Sequence, residues 1–103
     1  MFVARWQIDA RFGHKQTVID YLKAWTKDIA PQAGLSADKA QILTGSVGAL
    51  EATVEHNWRV ETLAELEEAW AKLGTIKAHS QWSKDLEPFV VSGTAKWTVY
   101  RVI

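Results

Sequence analysis

No cysteine occurs anywhere in the chain, which excludes disulfides, thiolate metal sites and cysteine nucleophiles together. A surplus of charge is equally lacking, because twelve Lys and Arg side chains cancel twelve Asp and Glu. No block of like charge interrupts that balance, so neither a phosphate backbone nor an anionic membrane is suggested as a partner. No apolar run approaches the roughly 20 residues that a membrane-crossing helix needs. Arg5, Asp9 and Arg11 break up the first apolar stretch, so neither a signal peptide nor a membrane span is expected there. The cytoplasm is the expected compartment. Gly-rich phosphate loops, His-x-x-x-His pairs and carboxylate clusters are missing too, and three isolated histidines do not compose a metal site. No metal and no cofactor are expected.

What is abundant is tryptophan, with six in 103 residues. A chain of this length reads as one domain, residues 1–103, able to bury roughly 60–70% of its unfolded surface without staples. The pattern along it is β-α-β-β-α-β. Residues 2–10 alternate, with Phe2, Ala4, Trp6, Ile8 and Ala10 on one face and Val3, Arg5, Gln7 and Asp9 on the other. After the Phe12-Gly13 turn the period becomes helical, through Val18, Leu22, Trp25 and Ile29, until Pro31 and Gly34 end the run. Strands are predicted over 40–47 and 52–60, joined by a turn at Gly48-Ala49-Leu50-Glu51.

The second strand–helix junction is the most specific local signal. Thr62-x-x-Glu65 is a capping box: the Thr hydroxyl accepts from the backbone N–H three residues on, and the Glu reaches back to the cap. The helix then shows Leu63, Leu66, Trp70 and Leu73 before Gly74 interrupts it. A further helical piece carries Ile76, His79, Trp82, Leu86 and Phe89, and a last strand is predicted over 94–103 after Gly93.

Four strands and two helices in this order predict an α+β, ferredoxin-like βαββαβ sandwich: a four-stranded antiparallel sheet with both helices on one face. Trp6, Ile8, Val54, His56, Trp58, Trp97, Val99 and Arg101 share one parity. Arg5, Gln7, Glu55, Asn57, Arg59, Thr98, Tyr100 and Val102 share the other. Hydrophobicity sends the first set toward the helices, yet both sets contain large residues. The second also keeps Val3, Tyr100 and Val102, more apolar surface than an idle solvent face needs. A twofold dimer packing sheet against sheet is therefore expected.

The Gly13 turn, Gly48-x-Leu50, His56-x-Trp58 and the helix Thr62-Leu63-Ala64-Glu65 resemble the NIPSNAP family. That family is grouped with the antibiotic biosynthesis monooxygenases in the dimeric α/β-barrel superfamily. The likeness spans nearly the whole chain, and its specific part is residues 45–73. It implies a homodimer whose two sheets close into a barrel with a cavity in each subunit. Function across such families is scattered between cofactor-free oxygenases, isomerases, haem-degrading enzymes and members without known activity, so the resemblance implies a fold and pocket rather than a reaction. In the haem-degrading relatives a histidine near the place of His79 ligates iron, beside an asparagine in the first strand. Trp6 stands where that asparagine is expected, so haem binding is not expected here.

His56 reads either as a general base facing a cavity, since imidazole titrates near neutrality, or as a hydrogen-bonded core residue. His79 is the other catalytic candidate. Trp6, His56, Trp58, His79, Trp97 and Arg101 are the candidate pocket-lining residues. The tryptophans form either a wall for a flat ligand or a large-residue core with Trp25, Trp70 and Trp82 of the helices, in which each buried N–H needs a partner. Arg5, Arg59 and Arg101 can clamp an anionic oxygen or pair with Glu55, Asp9 or another acid, and Tyr100 is a donor to a ligand or an interface residue. An RNA-recognition reading fails on the third strand, where Thr53-Val54-Glu55-His56 supplies no basic residue, glycine or alternating aromatics. Two functions remain. One is a NIPSNAP-like dimeric barrel without demonstrated catalysis, which binds a small apolar or aromatic molecule or a protein partner, or whose cavity is filled by its own side chains. The other is a cofactor-independent monooxygenase or isomerase of an aromatic or polycyclic compound.

Overall fold

The computed structural model describes residues 1–103. Strand β1 (Phe2–Asp9) leads to helix α1 (Lys15–Asp28), then β2 (Ala40–Thr44), β3 (Thr53–Val60), α2 (Leu63–Leu73), α3 (Lys77–Leu86) and β4 (Lys96–Arg101). The strands form one four-stranded sheet in the order β2-β3-β1-β4, and all three pairings are antiparallel. This is the ferredoxin-like α+β architecture, with a helical layer of three helices rather than two. Gly74 does not merely weaken a continuous helix. It closes α2, and the chain passes through an extended Ile76 before α3 begins.

Each helix end has a local cause. Past Asp28 the chain tightens into a 3-10 turn, Ala30–Ala33, with Pro31 at its start. Gly34 then takes φ +80°, a left-handed conformation that only glycine adopts without strain. At the start of α2 the Thr62 hydroxyl accepts from the Glu65 N–H at 3.1 Å. The Glu65 carboxylate, however, accepts from the backbone N–H of Glu61 at 2.9 Å, one residue before the cap, so the box closes one residue further out than its spacing predicts.

The hairpin between β2 and β3 is also tighter than its sequence suggests. β2 ends at Thr44 instead of 47, because Gly45 donates to the Thr53 carbonyl (2.9 Å) while Thr53 donates to Leu50 (3.1 Å). A Cβ on Gly45 would lie 1.7 Å from the Leu50 carbonyl oxygen, so this closure admits glycine alone. β4 starts two residues later than expected, at Lys96.

Burial resolves which face is covered, a choice that strand parity leaves open. Ala4, Ile8, Val54, His56, Trp58 and Val60 are buried beneath the helices. They join two packed groups, one around Trp25, Trp58, Leu66 and Leu73 and one around Val18, Leu22, Val54 and Leu86. The open face carries Arg5 on Glu55 in a two-pronged contact, Nε to Oε1 and Nη2 to Oε2, both at 2.9 Å. Gln7 adds a third bond at 2.8 Å. Burial would raise the Glu55 pKa, but the hydrogen bonds from Gln7 and Arg5 outweigh it and hold the carboxyl below its ordinary range.

Replacing Thr62 by Ala removes the one side-chain cap among the three α-helices. Urea denaturation is expected to show a loss of about 1 kcal/mol with unchanged m-value; an unaltered midpoint would show that the cap contributes nothing to the fold.

Candidate functional site: a tryptophan-lined cavity

All six tryptophans surround one cavity of about 400 Å³ on the helix-covered side of the sheet. Trp6, His56, Trp58 and Trp97 reach it from the sheet. Leu22 and Trp25 come from α1, Trp70 and Leu73 from α2 with Gly74, and His79, Trp82 and Ser83 from α3. Leu22 belongs to one core group and Trp25, Trp58 and Leu73 to the other, so the space opens at the seam between them. The cause is steric. Rings this large, delivered from three helices and three strands, leave gaps where branched aliphatic side chains would interdigitate.

Trp25 is the hub. Its ring lies 5.5 Å from His56 and 5.6 Å from Trp58, both edge-on, and 6.3 Å from Trp82. Its Nε1–H donates to His79 Nδ1 at 2.9 Å. Trp82 donates its own N–H to the Tyr21 carbonyl at 2.8 Å, so two indole hydrogen bonds fasten α3 to α1. At the mouth, Trp70 and Trp97 meet edge-to-face at 5.3 Å. These two are 41% and 45% exposed, and β4 has little helical cover.

Hydrogen-bond bookkeeping fixes both imidazoles. Indole N–H only donates, so His79 Nδ1 is the acceptor, and in the neutral ring the proton sits on Nε2. His56 Nε2 is 2.9 Å from the Thr26 hydroxyl, which itself lies 2.9 Å from the Leu22 carbonyl. A carbonyl only accepts, so the single hydroxyl proton points to Leu22; otherwise two oxygens would face each other lone pair to lone pair. His56 therefore donates from Nε2 and keeps a bare lone pair on Nδ1. Burial lowers the His56 pKa from 6.5 to about 4, and it lowers that of His79 as well. Both rings are neutral at physiological pH.

The cavity brings together five of the six residues expected to line a pocket: Trp6, His56, Trp58, His79 and Trp97. Arg101 is not among them. It is exposed, with its guanidinium 5.8 Å from the centre of the Phe2 ring, because the cavity lies toward the opposite end of β4. Arg5 pairs with Glu55, Arg59 donates to the Asp38 carbonyl at 3.0 Å, and Tyr100 lies on the open face with Arg5 5.5 Å from its ring centre. Trp25, Trp70 and Trp82 had a readable signal, since their helical phase aims them at the sheet face that carries Trp6 and Trp58. Leu73 shares the helical phase of Trp70; Gly74 and Ser83 had no such signal, since neither belongs to an apolar periodicity. No group of three or more His, Asp or Glu can hold a metal. The lining also offers no cationic side chain for the carboxylates of a haem.

The fold is shared with solved structures. A NIPSNAP family protein from Agrobacterium tumefaciens superposes with a TM-score of 0.78 at 17% identity, over 99% of this chain and 92% of that one. A NIPSNAP-like domain protein from Burkholderia xenovorans gives 0.77 at 17% identity, over 99% and 84%. A protein assigned to the antibiotic biosynthesis monooxygenases, from Nitrosomonas europaea, gives 0.68 at 8% identity, over 100% and 99%. No family model and no curated protein matches the sequence. The fold class is thus the ferredoxin-like one common to NIPSNAP and monooxygenase-type structures; at such identities the likeness carries the fold and not a reaction.

The His56 shift has a signed consequence. Its native pKa lies below the unfolded one, so its full contribution is present above pH 6.5 and is lost as pH falls toward about 4. Unfolding free energies are expected to drop by roughly 3 kcal/mol more across that window in the wild type than in His56→Gln. Parallel pH profiles would show that His56 titrates normally in the native state.

Proposed function

We propose that the protein binds a flat, largely apolar small molecule in the tryptophan-lined cavity, and that binding rather than turnover is its activity. The observation that carries this reading is the cavity itself: about 400 Å³, walled by six indoles, with two neutral imidazoles and no charged side chain. That volume falls within the ordinary range of small-molecule pockets, which are mostly apolar with a few placed polar groups. The alternative, an oxygenase like those named among the fold neighbours or an isomerase, asks for a proton acceptor with pKa near the working pH. His56, at about 4, is a weak base and a good hydrogen-bond acceptor, and no carboxylate, lysine or tyrosine joins it in the lining. A cytoplasmic location belongs to the same proposal.

A second copy of the chain is the proposed cover for the open sheet face. Val3, Leu43, Tyr100 and Val102 leave apolar surface there, around the charge-neutral Arg5–Glu55 pair. A twofold contact centred there sets a mutually neutralised pair against its own copy. Asn57, between Gln41 and Arg5 in the register, is only 8% exposed, and its Oδ1 has no hydrogen-bond donor. That oxygen is sealed beneath the surface and takes no part in the proposed contact.

Titration with the neutral probe N-phenyl-1-naphthylamine is expected to give saturable one-to-one quenching of tryptophan emission. Ser83→Phe, which lays a ring across the lining, should weaken it at least about tenfold; equal binding by that variant, or none by wild type, would sink the cavity reading. Light scattering after gel filtration is expected to return twice the chain mass, falling to one chain in Leu43→Glu/Tyr100→Glu. A wild-type monomer at micromolar concentration would remove the dimer from the proposal.

A further inference from the structure

Of the buried residues that line the cavity, two neighbouring rings each keep a polar atom with no hydrogen bond within the protein. His56 and Trp58 are two residues apart on β3, so their side chains leave the same face of the sheet, with ring centres 4.9 Å apart. They are 4% and 2% exposed. His56 commits Nε2–H to Thr26, whose own proton goes to Leu22, leaving Nδ1 as an acceptor. Trp58 Nε1–H is a donor by its chemistry and has no acceptor in the protein. The one side-chain polar atom both sealed and unpartnered is Asn57 Oδ1. The free atoms of His56 and Trp58 therefore open on accessible space, and the cavity is the space both residues line. Neighbouring rings on one wall thus carry one acceptor and one donor.

We propose that this wall reads a neutral, flat ring system whose edge carries an N–H donor beside a carbonyl oxygen, the edge of a fused-ring lactam. The N–H goes to His56 Nδ1, and the carbonyl receives Trp58 Nε1–H. This identification rests on the cavity being a ligand site. The competing chemistries serve the wall less well. A carboxylate enters a lining with no cation and loses its hydration uncompensated. A hydroxyl next to a ketone satisfies its own carbonyl internally and leaves His56 without a donor. A bare hydrocarbon stacks on the indoles but leaves both polar atoms unpaired. In a lactam the N–H and C=O point outward in parallel, so they cannot satisfy each other and remain available to the protein.

Isothermal titration calorimetry with carbostyril, its N-methyl derivative and naphthalene tests the idea. Carbostyril is expected to bind about tenfold more tightly than the N-methyl compound, the size of effect one lost hydrogen bond gives. His56→Phe should abolish that preference, so that carbostyril and its N-methyl derivative bind alike. Equal affinities for carbostyril and its N-methyl derivative would overturn the lactam edge and leave the ligand site standing. No binding by any of the three, naphthalene included, would overturn both. Long-range proton–nitrogen NMR supplies a check that needs no variant: His56 protonated on Nε2 with a bare Nδ1 is expected, and a proton on Nδ1 would remove the acceptor on which the proposal depends.

Discussion

The Trp25 indole is the constraint around which the rest of the molecule is arranged. Its N–H is spent on His79 and its ring edges meet His56 and Trp58, so a single side chain ties α1 to α3 and to the central part of the sheet. The tie decides more than stability. By donating to His79 Nδ1 it sets that ring's protonation, and by packing on His56 it helps to exclude the water that would otherwise raise the imidazole's affinity for a proton. A phenylalanine could fill much of the same volume, but it could not orient His79. The choice of indole over a plain hydrocarbon ring is thereby given a physical reason.

The two faces of the sheet solve the burial problem differently. Beneath the helices, large aromatic rings replace the small branched residues that usually interdigitate, and the packing defect that results is a cavity rather than a weakness spread over the core. The opposite face is held by Arg5, Glu55 and Gln7, whose mutual hydrogen bonds neutralise the centre of the sheet. An open antiparallel sheet tolerates such a polar network because one side can meet water or a second chain. The same alternation of β1 and β3 that builds the pocket therefore places the Arg5–Glu55–Gln7 network on the other side.

Much of this was legible from residue order, and the misreadings have identifiable causes. The switch from period two to helical period places the elements, and Thr62 caps α2 as its spacing implies. The end of β2 was misjudged because Gly45 gives no hydrophobic signal; the closure is visible only once Leu50 folds back onto it. The Glu65 side chain reaches Glu61 rather than the cap because side-chain reach depends on the angle at which β3 enters the helix, and no spacing rule contains that angle. Arg101 shares parity with Trp97 yet misses the pocket. Parity assigns a face but not a position along the strand, and four residues of strand carry a side chain roughly 13 Å away.

By itself the sequence determined the α+β order of elements, the common parity of Trp6, His56, Trp58 and Trp97 though not which face the helices cover, and a net charge of zero. These follow from periodicity and composition, which act locally and survive without knowledge of the packing. Only the tertiary structure decided that the six rings line a space instead of filling it, that His79 and Trp25 meet across 54 positions, and that His56 is buried against the Thr26 hydroxyl. Each of those depends on how far apart the helices settle from the sheet and which hydroxyl lies next to which ring, distances set by the sum of all side-chain volumes and therefore written in no single stretch of the chain.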